Sequence, residues 1–260
     1  MDLKDKIVVV TGAAGGIGRA LALRFHEAGA GHIVCVDLDE DGAKATAQVV
    51  GGTGRRVDVA SESDISTLIE EVETGIGPID LFCCNAGIST RGGPEVADEK
   101  WQQMWEVNVM AHIWAARHMV PRMIARGGGY FLNTASAAGL LSQVGSAPYA
   151  VTKHAAVGFA EWLALTYGDD GIKVSVLCPQ AVRTNMTKGK EGGVASVDGM
   201  MEPEPVAEAC LKAIEAETFL VLPHPEVLDY MRRKTSDYDR WIGGMRKLNR
   251  KYSPQKTGQT

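Results

Sequence analysis

The 260-residue sequence contains no apolar run that approaches the roughly 18 residues needed for a membrane-spanning helix. It has no basic excess either, because 27 lysines and arginines face 32 acidic residues and the net charge is −5. A nucleic-acid-binding surface is therefore not expected. The six histidines lack a metal-binding spacing such as H-E-x-x-H, so we expect no metal site. Internal repeats, low-complexity segments and interdomain linkers are also missing, which favours one globular domain.

Cysteine is scarce and odd in number, with five residues in the chain. Four of them (Cys35, Cys83, Cys84 and Cys178) lie in apolar runs that are typical of strands, where a thiol acts as a small hydrophobe. The N-terminus has no signal-peptide pattern and runs directly into the first apolar segment. Together these features predict a reducing compartment, and we expect a cytoplasmic protein.

Short apolar runs alternate with longer segments of helical periodicity. The predicted strands are 6–11, 32–37, 55–59, 79–84, 130–135, 173–177 and 219–222. The predicted helices are 16–28, 39–50, 62–74, 98–126, 148–167 and 204–216. Strict alternation predicts an α/β fold, a doubly wound parallel sheet of about seven strands with helices on both faces. In such sheets ligands bind beyond the carboxyl ends of the strands.

A glycine-rich turn, TGAAGGIG at 11–18, joins the first predicted strand to the first helix. Glycines at this junction let backbone N–H groups approach a pyrophosphate, and the helix N-terminus adds partial positive charge. Asp37 ends the second predicted strand, where an acid can bind ribose hydroxyls and repel a 2′-phosphate. Asp39 can cap the following helix, which leaves Asp37 for the ribose. With no basic residue at Gly15 or Leu38, we expect NAD rather than NADP.

Four polar residues form a candidate catalytic group. Tyr149 and Lys153 share one face of a predicted helix, Ser136 follows the fifth strand, and Asn108 interrupts an apolar stretch. A nearby ammonium lowers the pKa of a phenol, so we expect Lys153 to lower the pKa of Tyr149 towards the range of a general base.

With these motifs, the sequence resembles the short-chain dehydrogenase/reductase family over residues 4–222. The resemblance rests on the turn at 11–18, on Asp37, on Asp58, on the Asn-Ala-Gly run at 85–87, on the four polar residues above, and on Pro179 and Thr184. It implies a Rossmann-like fold and a catalytic tetrad of Asn108, Ser136, Tyr149 and Lys153, with Asn108 anchoring a water. Two positions depart from the family pattern: Cys84 replaces an asparagine, and Gln180 replaces the glycine after Pro179.

The resemblance also implies the binding residues. For the cofactor, NAD, they are Gly12, Gly15, Gly16, Ile17, Gly18, Asp37, Leu38, Asp58, Val59, Asn85, Ala86, Gly87, Tyr149, Lys153, Pro179, Val182 and Thr184. For the substrate we predict Ser89, Leu140, Val144, Gln180 and Met186, with Leu141, Met200 and Met201 adding to an apolar pocket. The segment 185–202 lies where the family carries a substrate lid.

The predicted activity is an NAD-dependent oxidoreductase, an alcohol dehydrogenase or ketone reductase that interconverts a secondary alcohol and a ketone, on a bulky apolar substrate. Two alternatives remain open: a non-catalytic dinucleotide sensor or scaffold, and an epimerase or dehydratase relative. We divide the chain into a dinucleotide-binding and catalytic domain, 1–222, and a C-terminal amphipathic helical extension, 223–260. Family members usually form homotetramers or homodimers, and we expect the same here.

The extension carries nine basic and four acidic residues, opposite in sign to the rest of the chain. Its apolar residues recur at helical spacing, with a predicted interruption at Gly243 and Gly244. Binding of this apolar helix face to a membrane surface is less favoured, because the negative charge of residues 1–222 opposes binding to anionic lipid. We expect the extension instead to cover part of its own substrate pocket or that of a neighbouring subunit.

Overall fold

A computed structural model describes residues 1–189 and 192–252 of the chain. Seven parallel strands form one sheet in the order β3-β2-β1-β4-β5-β6-β7. The strands are β1 (Ile7–Thr11), β2 (His32–Asp37), β3 (Thr53–Arg56), β4 (Leu81–Cys84), β5 (Gly129–Thr134), β6 (Ile172–Leu177) and β7 (Leu220–Val221). The predicted doubly wound Rossmann-like sheet is confirmed.

Helices cover both faces of the sheet. They are α1 (Gly16–Glu27), α2 (Glu40–Val49), α3 (Glu62–Gly75), α4 (Asp98–Trp105), α5 (Ala111–Ala125), α6 (Ala138–Leu141), α7 (Ala147–Tyr167), α8 (Pro203–Glu215), α9 (Glu226–Ser236) and α10 (Tyr238–Tyr252). Single turns of π-helix and 3₁₀-helix occupy Glu106–Met110 and Val194–Ser196. Within the described ranges, no helix is both long enough and apolar enough to cross a membrane.

Alternation along each buried strand divides the core into two layers. In β1, Val9 packs into the layer with α3, α5 and α7, while Val8 and Val10 pack into the layer with α1 and α8. All three valines are fully buried. A strand with both faces covered therefore reads as a continuous apolar run, which is why IVVV was recognisable in the sequence.

The sheet order reverses direction between β1 and β4. From β1 the chain builds outward to β3 on one side, and from β4 to β7 on the other. The helices that follow β1 and β4 leave on opposite faces, so a crevice opens beyond the carboxyl ends of these two strands. The glycine turn after β1 and Asn85 after β4 lie at this crevice.

Apart from shorter ends of some strands, the main differences from the predicted elements are three. The third strand is Thr53–Arg56 instead of 55–59, because its partner β2 ends at Asp37 and leaves no strand for later residues to pair with. The predicted helix 98–126 is split by the π-helical turn Glu106–Met110. The tail helix breaks at Asp237 and continues through the glycine pair at 243–244, where the sequence predicts the interruption. Residues 190, 191 and 253–260, which belong to the predicted lid and extension, lie outside the described residues.

Candidate functional site

One cavity of about 2150 Å³ lies at the carboxyl ends of the strands. Its walls come from the glycine turn, the ends of β2 to β6, the start of α7, the segment after β6, and both tail helices. A cavity of this size can hold a dinucleotide together with a second, smaller molecule. Of the described residues, no three His, Cys, Asp or Glu side chains are arranged as a metal site.

The glycine turn is held in a conformation that other residues adopt poorly. Gly12 and Gly16 have φ of +71° and +53°, and a Cβ on Gly16 would lie 2.8 Å from Thr184. Gly18 does not line the cavity; a Cβ there would lie 2.1 Å from the Gly12 carbonyl oxygen, so its role is to let the turn close against α1. A Cβ on Gly15 would face open space in the cavity, at the N-terminus of α1. This cradle fits a dinucleotide pyrophosphate.

Asp37 lies beside this cradle at the end of β2. Its carboxylate accepts hydrogen bonds from the backbone N–H groups of Ala14 (3.0 Å) and Asp39 (3.1 Å), which fix its position on the cavity wall. Asp39 accepts a hydrogen bond from the Gly42 N–H and caps α2, as predicted. Ile17, Leu38, Asp58, Val59, Ala86, Gly87, Pro179, Val182 and Thr184 also line the cavity.

A chain of hydrogen bonds joins the crevice to the centre of the site. Thr11 Oγ1 accepts the N–H groups of Asn85 (2.9 Å) and Ala86 (3.0 Å), and Asn85 Nδ2 donates to the Thr11 carbonyl. Thr134 Oγ1 donates to Asn85 Oδ1, and the Thr134 carbonyl accepts from Lys153 Nζ at 2.9 Å. Sequence reasoning missed Thr134. Its position at the end of β5, two residues before Ser136, was the available signal.

Ser136, Tyr149 and Lys153 all line the cavity. Burial raises the pKa of Tyr149, and a hydrogen bond with Ser136 partly opposes that rise. The expectation that Lys153 lowers the pKa of Tyr149 is therefore wrong for this structure. The lysine ammonium lies 5.8 Å from the tyrosine ring centre and donates to the Thr134 carbonyl instead. Burial lowers the pKa of Lys153 itself to about 8.

Asn108 is fully buried in the π-helical turn and does not line the cavity. Its Oδ1 accepts the Ile88 N–H at 2.9 Å, while its Nδ2 donates to the Ile88 carbonyl (3.0 Å) and to Thr152 Oγ1 (3.2 Å). A Cβ built on Gly87 would lie 3.2 Å from Asn108 Oδ1 and 3.4 Å from Lys153 Nζ, so the amide and the ammonium are neighbours. Asn108 thus fixes the strand-end backbone beside Lys153.

The predicted substrate residues Ser89, Val144, Gln180 and Met186 line the cavity, and Leu140 does not. Leu141 lines the cavity instead, while Leu140 packs against the core, and the Leu140 carbonyl accepts a hydrogen bond from Lys234. Met201 is also wrongly placed by the prediction, since it pairs with Val182 and packs into the core.

Gln180, at the position where the family pattern has glycine, links the site to the tail. Its N–H donates to His224 Nδ1 (3.2 Å), and its Nε2 donates to Asp198 (3.1 Å). Tyr230 of α9 donates to the same Asp198 carboxylate at 3.0 Å.

The tail helices form one wall of this chain's own cavity. Val227 is fully buried against Ala137 and Leu141, which anchors α9 beside the site. The sequence pattern predicted a covering role, but it named none of the tail residues that line the cavity. They are Tyr230, Arg233, Ser236, Arg240, Trp241, Gly244, Met245, Leu248 and Tyr252.

The fold and the geometry of this site fit an α/β protein of the dinucleotide-binding class. A family model described as short chain dehydrogenase matches residues 6–193. The 1-deoxy-11-beta-hydroxypentalenate dehydrogenase of Streptomyces exfoliatus is 35% identical over 252 residues, which cover 93% of this chain and 91% of that protein. Epidermal retinol dehydrogenase 2 of Homo sapiens is 31% identical over 240 residues, which cover 88% and 77%.

Solved structures give the same result. The crystal structure of a short-chain dehydrogenase/reductase from Burkholderia phymatum in complex with NAD matches with a TM-score of 0.84 and 25% sequence identity, covering 100% of both chains. The chain therefore belongs to the short-chain dehydrogenase/reductase family of oxidoreductases. Relatives named above are dehydrogenases of hydroxyl-bearing compounds.

Proposed function

We propose that the protein is an NAD-dependent dehydrogenase that interconverts a secondary alcohol and a ketone. The observation that carries the proposal is that Ser136, Tyr149 and Lys153 share one cavity with the glycine turn and with Asp37. A hydroxyl pair able to bind a substrate oxygen is thereby placed in the same space as a dinucleotide cradle. The NAD complex of the similar Burkholderia phymatum protein supports the choice of cofactor class.

The proposed catalytic role of each side chain follows from its position in the cavity. Ser136 Oγ holds the substrate oxygen and stabilises the charge that develops on it. Tyr149 takes the hydroxyl proton during oxidation and returns it during reduction. Lys153, whose ammonium is held by the Thr134 carbonyl 5.8 Å from the tyrosine ring centre, would hold the bound cofactor in the same cavity. Bound NAD would supply the hydride acceptor. Asn108 is a positioning residue, because its amide is bonded to Ile88 and Thr152.

The preference for NAD over NADP rests on Asp37. Its carboxylate lies on the cavity wall, where it can accept ribose hydroxyls and would repel a 2′-phosphate. The neighbouring cavity residues Leu38 and Asp39 add no positive charge. Arg56 is the register partner of Asp37 in the sheet but does not line the cavity.

The substrate side of the cavity favours a bulky apolar skeleton. Leu141, Val144, Met186, Met200 and Trp241 contribute apolar surface to it. Methionine side chains adapt to irregular ligands, so the pocket suits a large hydrocarbon framework. Relatives whose names specify a pentalenate and a retinol are consistent with this class.

A homodimer or homotetramer remains a prediction. Two large apolar side chains on α7 are available for such an interface: Trp162 and Leu165 are 52% and 86% exposed. Exposed apolar groups on one helix commonly mark a surface for self-association.

The test is transfer of deuterium from a panel of secondary alcohols, deuterated at the carbinol carbon, to NAD. We expect label in the reduced cofactor and a fall of at least ~100-fold in turnover for Tyr149→Phe. Tyr167→Phe, at the far end of the same helix, is the matched control. NAD binding without transfer from any alcohol would instead support a sensor or an epimerase, and a Tyr149→Phe enzyme within threefold of wild type would refute the mechanism.

A further inference from the structure

The two ends of the cavity carry charge of opposite sign. The end next to the glycine turn has three carboxylates, Asp37, Asp39 and Asp58. The tail end has Arg233 of α9 and Arg240 of α10. The loop after β4 adds Arg91 and Glu95, which offset each other in net charge, and the Glu95 carboxylate accepts the Gly93 N–H at 2.8 Å.

Arg233 and Arg240 take part in no salt bridge among the described residues. Arg233 lies over the Tyr230 ring at 5.7 Å, which orients it beside the cavity. The adjacent Arg232, by contrast, pairs with Asp229 at 3.3 Å and does not line the cavity. The cavity-lining arginines thus keep their hydrogen-bonding capacity.

The residues beside these arginines on α10 can hold an apolar skeleton next to the two charges. Trp241, Met245 and Leu248 of α10 present apolar surface to the same cavity. Arg233 and Arg240 are themselves exposed, so water screens their charge, and recognition of an anion rests on the two parallel hydrogen bonds that a guanidinium can donate to a carboxylate. A neutral hydrocarbon would gain nothing from such cations, since it would only cover them.

We propose, building on the dehydrogenase function above, that the substrate is an apolar secondary alcohol or ketone that carries a carboxylate. Its hydroxyl or carbonyl lies at Tyr149 and Ser136, its skeleton lies along the apolar wall, and its carboxylate binds Arg233 and Arg240. The tail then determines substrate specificity, because its two arginines favour substrates that carry a negative charge.

The experiment compares hydroxy acids with their methyl esters. Mandelate, ricinoleate and lithocholate span short to long distances between hydroxyl and carboxylate, and each ester keeps the skeleton without the charge. The wild-type enzyme and the double variants Arg233→Gln/Arg240→Gln and Arg232→Gln/Arg246→Gln are assayed for kcat/KM with NAD. Binding of each acid and ester to the NAD complex is measured by calorimetry, which reports on recognition even without turnover.

We expect the wild-type enzyme to prefer at least one acid over its ester, and the Arg233/Arg240 variant to lose at least ~10-fold of that preference, mainly through KM. The Arg232/Arg246 variant, altered on the same helices but away from the cavity, should keep it. Unchanged affinity for NAD in all three proteins separates substrate recognition from cofactor binding. Equal binding of the acids and their esters would overturn the inference. If neutral alcohols were still oxidised in that case, the proposed dehydrogenase function would be unaffected. Failure of every alcohol, acid and ester to be oxidised would count against that function instead.

Discussion

Lys153 illustrates how one residue of the site obtains its properties from its neighbours. Its side chain is 2% exposed, and its ammonium donates to the Thr134 carbonyl at the end of β5. A charge in such a place is stabilised by few partners, so burial lowers its pKa to about 8. When it is protonated, this buried lysine therefore lowers the stability of the folded protein.

This gives a pH-dependent stability. The Lys153 pKa is about 8 in the folded protein and 10.5 as the unperturbed value. Between these values the unfolded chain binds more protons, so the free energy of unfolding should rise with pH, by about 3 kcal/mol at most. Lys153→Met removes the titrating group. Urea denaturation of both proteins should give a wild-type stability that climbs relative to the variant from pH 8 to 10.5 and is flat below. A constant difference across that window would contradict the assignment.

A second residue, Asp37, should set the choice of cofactor. We expect kcat/KM with NAD to exceed that with NADP by at least ~100-fold, because a carboxylate repels the 2′-phosphate. Asp37→Ser should reduce this ratio by tenfold or more, which steady-state kinetics with both cofactors would measure. Asp41→Ser, which changes an exposed acid of α2 outside the cavity, is the control. Equal use of both cofactors by the wild-type enzyme would mean that Asp37 is misassigned.

Among the elements, the glycine turn needs close backbone packing at Gly18 and open cavity space at Gly15, and two variants can test these requirements separately. Gly18→Ala places a methyl group 2.1 Å from the Gly12 carbonyl oxygen, so we expect a loss of several kcal/mol in stability. Gly15→Ala meets no atom within 4 Å and has extended backbone, so it should stay within about 1 kcal/mol of wild type. Its methyl group enters the cavity, and NAD affinity should fall. Denaturant melts and calorimetric NAD titrations test both statements; reversed behaviour of the pair would refute this account of the turn.

The elements also show what local sequence patterns can predict. Consecutive apolar residues identified the buried strands, and the glycine turn identified the crevice, because each of these patterns is contained in a few consecutive residues. The π-helical turn was not predictable in this way. It contains Asn108, whose amide bonds Ile88, 20 residues earlier in the chain. Such a distortion depends on contacts that no local pattern records.

The continuity of α10 has a similar origin. Glycine costs about 1 kcal/mol in a helix interior, so Gly243 and Gly244 predict a break. In the structure Trp241, Met245 and Leu248 line the cavity from one face of this helix, and their spacing of three and four residues requires the helix to pass through the glycines. Tertiary packing thus overrides local propensity. Packing also decided which leucine of α6 lines the cavity, since Leu140 packs against the core and Leu141 lines the cavity.

In the molecule as a whole, the tail closes a site that the sheet leaves open. The glycine turn and the strand ends form one side of the cavity and α7 supplies Tyr149 and Lys153, but the far wall comes from α9 and α10. The Gln180–Asp198–Tyr230 hydrogen bonds tie that wall to the loop beyond β6. The proposed function assigns cofactor binding and substrate binding to different parts of the chain, so we expect truncation to separate them.

Ending the chain after Ser236 provides that test, because it removes α10 and retains α9, whose Val227 is fully buried in the core. Without α10 the cavity loses Trp241, Met245 and Leu248, so apolar substrates lose contact area while the glycine turn and Asp37 are untouched. We expect KM for the best alcohol substrate to rise at least ~10-fold, equivalent to about 1.4 kcal/mol of lost binding. NAD affinity, measured by calorimetry, should change less than threefold. Light scattering on both proteins shows whether the tail also supports assembly. An unchanged KM, melting temperature and oligomeric mass would mean that α10 contributes nothing to the site.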